Sequence, residues 1–349
     1  QAASKDAVLL SPHKRVGGHG TPGILIVKRH LTPNRVPTMP GGGTVLYVTP
    51  QDHTFIEDPQ RREEGGTPAI VEAVRAGLVF KLQQDIGLAT IEAREREFRL
   101  RALERWAQNP RIEVLGGAAN DSLAIFSLRI KHGAKDLHYG FVVALLNDLF
   151  GIQARGGCSC AGPYGHQLLG LSMQTSRAIE SEIRRGHMIL RPGWVRLNFN
   201  YFIDEATFEY LLRAVELIAD HGAGLLPYYE FDTGSATWRY QGRPMRLGAT
   251  LSEIDFSVRA TSADSEAADG ASSSQPSSDQ SIPGPGARPT FDSGLLAEVL
   301  ADAERELRAV NRSDRRYSLS LPQSSEALRW FVLPQEIETP SALPEMGAA

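Results

Sequence analysis

Two short apolar runs, at residues 8–10 ("VLL") and 23–28 ("GILIVK"), read as buried strands on either side of a polar, glycine-rich stretch around Lys14. The turn-rich "TPNRVPTMPGGGT" then leads into a further extended segment, "LYVTP". Over residues 68–85, "PAIVEAVRAGLVFKLQQD" places apolar residues at helical spacing, with Thr67 ahead of it as a candidate N-cap. A second helix is predicted over 88–108. Its charge run "EAREREFRLRALERW" is expected to be a solvated face laced with i,i+4 pairs.

The period then changes. "RIEVLG" and "SLAIFSLRI" alternate like strands, "LHYGFVVALLNDLFG" is helical, "IQARGG" is extended and "WVRLNFN" is again a strand. The helix "DEATFEYLLRAVELIADHG" follows, with Asp204 as its N-cap. This β-β-α-β-β-α order predicts an α/β unit of its own from about residue 111 to 222. Residues 260–289, rich in Ser, Ala, Pro and Gly with almost nothing apolar, are expected to be disordered, because they bury too little to offset their ordering entropy. After them "FDSGLLAEVLADAERELRAV" is one more amphipathic helix, and the final residues read as a loose tail.

Composition narrows the function classes. The 349 residues are 42% hydrophobic and 22% charged with a net charge of -4, which gives no electrostatic reason for a nucleic-acid partner or an anionic membrane surface. No apolar run approaches the roughly 20 residues that span a bilayer. The chain does not open on Met, and its natural beginning is expected to lie upstream of Gln1. The two cysteines, Cys158 and Cys160, exclude a disulfide scaffold. A C-x-C alone cannot close a tetrahedral zinc site, so no metal is expected. Free thiols favour a reducing compartment, so the expectation is a soluble protein of the cytoplasm or an organelle matrix.

The chemistry concentrates in "SPHKRVGGHGTPGILIVKR". A lysine serves catalysis when its amine is neutral and can join a carbonyl cofactor, and such a site needs phosphate donors and tight glycine turns around it. Ser11, His13 and the glycines that follow supply both. The loop contains no G-x-x-x-x-G-K-[ST], and its "GGHGTPG" does not open a helix as the dinucleotide fingerprint requires, so neither nucleotide reading holds.

This segment resembles the S-x-H-K-x-x-G-x-x-G-x-G-x-L segment of class V, fold-type I pyridoxal-phosphate enzymes, closest to the cysteine desulfurase and selenocysteine lyase branch. Three further segments are similar in the same order. They are "EEGGTPAIVEAVRAGL" to E-x-G-T-P, "ARGGCSCAGP" to R-x-G-x-x-C-A-x-P, and "WVRLNFNYFIDEATFEYLLRAVELI" to R-x-S-x-x-x-Y-N. The resemblance implies an α/β chain holding the C-terminal part of the fold-type I large domain (1–110) plus an α/β small domain (111–225). A C-terminal extension (226–259), the insert (260–289) and a helix with tail (290–349) would follow.

It also implies roles. Lys14 would carry pyridoxal 5'-phosphate and move protons, Ser11 and His13 would contact the cofactor phosphate, and Thr67 would reach the phosphate in a partner protomer, making a homodimer. Arg196 would bind the substrate carboxylate, with Arg155 a second arginine at the mouth. Read from its strand alone, Arg196 could equally line a solvent face. Cys160 would take sulfur from a cysteine-like amino acid to become a persulfide, leaving alanine, and a sulfur-acceptor protein could follow. Cys158 and Ser159 stand where the branch usually has histidines, which weakens the sulfur chemistry more than the cofactor. The alternatives are a class V aminotransferase or other amino-acid lyase that leaves the thiol unused, and a non-catalytic truncated homologue.

Overall fold

The computed structural model describes residues 4–117, 122–158, 162–241, 293–308 and 317–337. The chain divides into two compact units, residues 1–94 and 95–349.

In the first unit β1 (Ala7–Leu10) and β2 (Ile24–Val27) pair antiparallel with Leu9 opposite Leu25. β3 (Val45–Val48) and β4 (His53–Phe55) form a second two-stranded ladder. α1 (Pro59–Glu63) is capped by the Asp58 side chain, which accepts from the Arg61 N–H. α2 (Ile70–Ile86) follows, and the unit boundary falls within α3 (Leu88–Trp106). The strands around Lys14 form as expected, but the sequence reading of them as buried is corrected: their side chains are exposed or half-buried. Each strand pairs only with the other among the described residues, so the apolar runs have no layer beneath them.

The second unit is built on an antiparallel sheet in the order β5 (Ile112–Val114), β6 (Ile125–His132), β9 (Trp194–Asn198), β8 (Arg155–Gly157), with β7 (Lys135–Asp136) on β6. Alternate residues point to opposite faces. Phe126, Leu128 and Ile130 of β6 and Val195 and Leu197 of β9 are buried on one face, against α4 (Tyr139–Phe150) and α7 (Glu205–His221). Asp204 caps α7 as its sequence predicts, accepting from the Thr207 N–H at 2.7 Å. Gly151, at φ 64°, ends α4 in the left-handed conformation.

Phe98, on the second-unit part of α3, stacks on Phe208 with centroids 4.4 Å apart. Trp106 meets Phe126 edge-on at 5.1 Å. The charge run of α3 is therefore not simply a solvated face. Arg101 keeps one i,i+4 partner in Glu97, but it also pairs with Glu205 and Glu209, and Arg105 pairs with Glu209 and Glu216. The run joins two helices because the apolar residues between its charges dock against α7.

The β-β-α-β-β-α reading omitted α5 (Gly162–Leu168) and α6 (Met173–Arg184), both between β8 and β9. It also did not anticipate the hairpin of β10 (Tyr229–Asp232) and β11 (Thr237–Tyr240). α8 (Ser293–Arg308) forms as predicted and packs on α7, burying Ala303 and Leu307. The expected loose tail is corrected over residues 317–337. Phe331, Val332 and Leu333 are buried, and the Asp136 N–H and C=O bond to Trp330 O and Val332 N at 3.2 and 2.9 Å. The predicted disordered insert at 260–289 lies outside the described residues.

Candidate functional site

In the first unit, β1 runs into a 3-10 turn, Pro12–Lys14, closed by the Lys14 N–H on Ser11 O at 3.0 Å and the Arg15 N–H on Pro12 O at 2.9 Å. Pro12 is buried and fixes the backbone at the start of the turn. Ser11, His13 and Lys14 are exposed on it, and the Ser11 hydroxyl makes no capping bond. The turn is held to α2 by Arg15, which bonds Gln83 and lies 5.2 Å from the Phe80 ring centroid. Gly18 folds back over Pro12 so tightly that a Cβ there would sit 1.9 Å from the Pro12 oxygen. This is the close approach for which the glycine run is needed.

Thr67 stands in the loop ahead of α2. At the end of α1 the Glu63 carboxylate accepts from Asn34 Nδ2 at 2.6 Å and Thr38 N at 3.1 Å, holding the stretch before β3 against α1. The backbone N–H of Thr38 holds the Glu63 carboxyl below its usual range. The Gly66 N–H bonds Gly42 O at 2.8 Å. The helix-cap expectation for Thr67 is corrected: α2 starts at Ile70, and Ala69 occupies the N-cap without a side-chain bond. The Thr67 hydroxyl sits two residues too early to cap.

In the second unit the two arginines singled out from sequence are direct cross-strand partners, Arg155 of β8 opposite Arg196 of β9. Ser127 of β6 is opposite Arg196 on its other side. Like charges set directly opposite in a sheet repel, typically by a few tenths to about 1 kcal/mol. Farther along the same face Asp136 lies 2.7 Å from both Arg129 and Lys131, and Glu113 lies 3.2 Å from Arg129. Arg196 makes no ion pair among the described residues. It is half-buried and lines a cleft of about 320 Å³ together with Gln153, Asn198, Thr207 and Tyr210. The Tyr210 hydroxyl already donates to Phe150 O at 2.6 Å, which leaves Arg196 with Gln153, Asn198 and Thr207 as the polar groups available to a carboxylate in an otherwise apolar cleft. A larger groove of about 950 Å³ between α3 and α7 lacks this character, since Arg101 and Arg105 there are already paired with glutamates.

β8 leads directly to Cys158, which is exposed, while Cys160 lies outside the described residues. His166 bonds Ser176 Oγ at 2.8 Å and joins α5 to α6. Sequence reasoning did not single out Ser127, Gln153 and Asn198 around Arg196: Ser127 is brought there by the β6–β9 register, Gln153 by the chain leading into β8, and Asn198 stands two residues farther along β9. It also missed His138, a buried N-cap of α4. Its Nδ1 accepts from the Gly140 N–H and the Trp238 Nε1–H, both at 3.0 Å, and its Nε2 donates to Ile189 O at 3.1 Å. Burial depresses its pKa to about 3, outweighing the Ile189 bond.

The family model for Aminotransferase class-V matches residues 1–184 of the 349. A probable cysteine desulfurase of Halobacterium salinarum is 30% identical over 171 residues, which are 49% of this chain and 39% of that protein. A probable cysteine desulfurase of Halalkalibacterium halodurans is 33% identical over 158 residues, 45% of this chain and 37% of that protein. Each match thus spans well under half the length of the curated relative. The apo structure of cysteine desulfurase from Thermococcus onnurineus NA1 superposes with a TM-score of 0.49 at 25% identity, over 62% of this chain and 47% of that one. No helix among the described residues is long and apolar enough to cross a membrane. The α/β class read from the sequence holds, and the chain belongs to the class-V aminotransferase family.

Proposed function

We propose that the chain carries the lysine, arginine and cysteine positions of a pyridoxal-phosphate-dependent cysteine desulfurase, converting L-cysteine to L-alanine. The observation that carries this reading furthest is the juxtaposition of Arg155 and Arg196. Arg196 is half-buried with no ion pair among the described residues, and strand register sets Arg155 directly opposite it, so an amino-acid carboxylate held by Arg196 would have a second cation at hand.

The residues of the Pro12–Lys14 turn suit the cofactor's phosphate and carbonyl ends. Ser11 and His13 stand three residues and one residue before Lys14, both exposed on a turn that the close approach of Gly18 to Pro12 holds in shape. Bound there, pyridoxal phosphate would supply the electron sink that labilises bonds at the substrate α-carbon. Lys14 would hold the cofactor and then carry a proton to and from the α-carbon. Arg196 would fix the substrate carboxylate as a fork, with Arg155 as its second cation. Thr67 would contact the phosphate in a second copy of the chain, making the working unit a homodimer.

Cys160 would accept the sulfur. An S–S bond to its sulfur would form as the substrate C–S bond breaks; one thiol hydrogen would stay on the outer persulfide sulfur and the other would end on the methyl group of the released alanine. The relatives named probable cysteine desulfurases support this reading over a plain aminotransferase. The test is turnover of L-cysteine with alanine and protein persulfide both quantified. Cys160→Ser abolishing both, with cofactor still bound, supports a desulfurase. Unchanged alanine formation in that variant would remove the thiol from the mechanism, and transamination alone would favour the aminotransferase.

A further inference from the structure

The segment 317–337 lies beyond the residues matched by the family model, yet it is fastened to the second unit at several points. Ser325 Oγ donates to Glu182 Oε2 at 2.6 Å, and His187 Nδ1 lies 2.7 Å from the same oxygen. Arg329 pairs with Glu326 and Glu336 and donates to Phe331 O at 2.6 Å. Trp330 Nε1 donates to Leu190 O at 3.2 Å, four residues before β9 starts at Trp194. The backbone of Asp136 holds Trp330 and Val332 from the other side.

These fastenings aim one side chain at one place. The Trp330 ring lies parallel to Tyr139, 5.9 Å between centroids and 10° between planes, and also stacks on His138 at 5.3 Å. Tyr139 in turn fills the space beneath the end of β8. A Cβ on Gly156 would sit 2.7 Å from the Tyr139 ring, and one on Gly193 would sit 2.9 Å from that ring and 2.6 Å from the Gly157 backbone. Two glycines are thus needed for strand and ring to meet. Gly156 is opposite Val195, whose side chain is in the core, so Tyr139 supports the face of β8 opposite to that of Arg155 and Arg196. Burial pushes the Tyr139 phenol up to about 12, and Cys158 follows directly on the end of β8 at Gly157.

We propose that the 317–337 strap is a positioning element: Trp330, stacked on Tyr139, holds the end of β8 against β9 and so fixes Arg155 opposite Arg196 and the approach to Cys158. Among the described residues β8 has only three residues and one ladder partner, so the ring beneath it supplies what a longer strand would supply by pairing. The functional meaning of this inference rests on the proposed carboxylate role of the arginine pair.

The experiment is hydrogen exchange on the full chain, read by peptide mass spectrometry, together with the alkylation rate of Cys158 by iodoacetamide. Neither needs cofactor or substrate, so both stand even if the desulfurase reading fails. In Trp330→Ala, exchange across residues 153–158 is expected to speed by about tenfold while β5 and β6 keep their protection. Cys158 alkylation is expected to change in parallel, and Trp330→Phe is expected to restore both by keeping an aromatic face on Tyr139. If Trp330→Ala loosens β5 and β6 as well, Tyr139→Leu, which removes the ring from beneath β8 without touching the strap, is the deciding variant. Exchange at 153–158 that stays at the parent rate in the folded variant overturns the proposal, as does Phe failing to rescue.

Discussion

Leu9, Leu25 and Ile26 of β1 and β2 are 81%, 60% and 56% exposed, whereas Phe126, Leu128, Val195 and Leu197 of β6 and β9 are all at 5% or below. Both sets read as strand cores from their apolar pattern. The difference is in what lies beneath. β6 and β9 are inner strands with α4 and α7 on one face, while β1 and β2 make a two-stranded ribbon. α2 repeats the lesson, with Ile70, Val71, Val74 and Leu78 exposed along it. A helix that is apolar on both sides belongs in an interior. The unit that holds Lys14 has thus a precise turn on a thinly covered scaffold, and the unit that holds Arg196 has its own closed core.

The largest effects should separate the two units. Trp106→Ala or Phe98→Ala removes a fully buried ring from the second unit and is expected to cost about 3–5 kcal/mol in denaturant unfolding. Leu9→Ala, although equally apolar, is expected to change stability by no more than about 0.5 kcal/mol. Equal costs for the two would mean that β1 is covered in solution. Gly193→Ala should fall between them. Its Cβ meets backbone at 2.6 Å, so an overpacking cost of about 1–3 kcal/mol is expected, visible as a lowered denaturation midpoint.

Acid should also act on the second unit through His138. Its folded pKa of about 3 lies below the 6.5 of the unfolded chain. Between those values the unfolded chain binds a proton that the folded chain refuses, so stability is full above pH 6.5 and is lost as pH falls toward 3. His138→Asn keeps a capping acceptor and should flatten that limb of a pH–stability curve, at some cost near neutrality. Glu182 works in a lower window. Hydrogen bonds from Ser325 and His187 hold its carboxyl at about 2, so its contribution is full above pH 4.5 and fades toward 2. Glu182→Gln should remove that lower limb.

The legible parts of this molecule were those written in short-range pattern. The Asp204 cap, the α4 and α7 helices and the strand–turn–strand around Lys14 are local events, fixed by capping, periodicity and Pro12. Arg155 and Arg196 could each be singled out, but their direct opposition depends on the β8–β9 register, which pairs residues far apart along the chain and packs Gly156 and Gly193 against Tyr139. The salt bridges from α3 to α7 and the seating of 317–337 were hidden for the same reason. They join residues far apart in sequence, where a charge run or a proline-rich end looks like surface. Burial around Lys14 was over-read because an apolar strand pattern specifies which face is sticky and not what covers it.

Lys14→Ala should leave the stability of both units within about 0.5 kcal/mol of the parent, since the side chain is exposed. That makes it a clean control for the measurement that bears most directly on the central claim. The chain is incubated with pyridoxal phosphate, reduced with borohydride, digested and mapped by mass spectrometry. The account predicts a visible absorbance band that borohydride bleaches, with the pyridoxyl group recovered on Lys14 and absent from Lys14→Ala. Pyridoxyl label spread over surface lysines, or a band unchanged in the variant, would contradict a cofactor role for the Pro12–Lys14 turn.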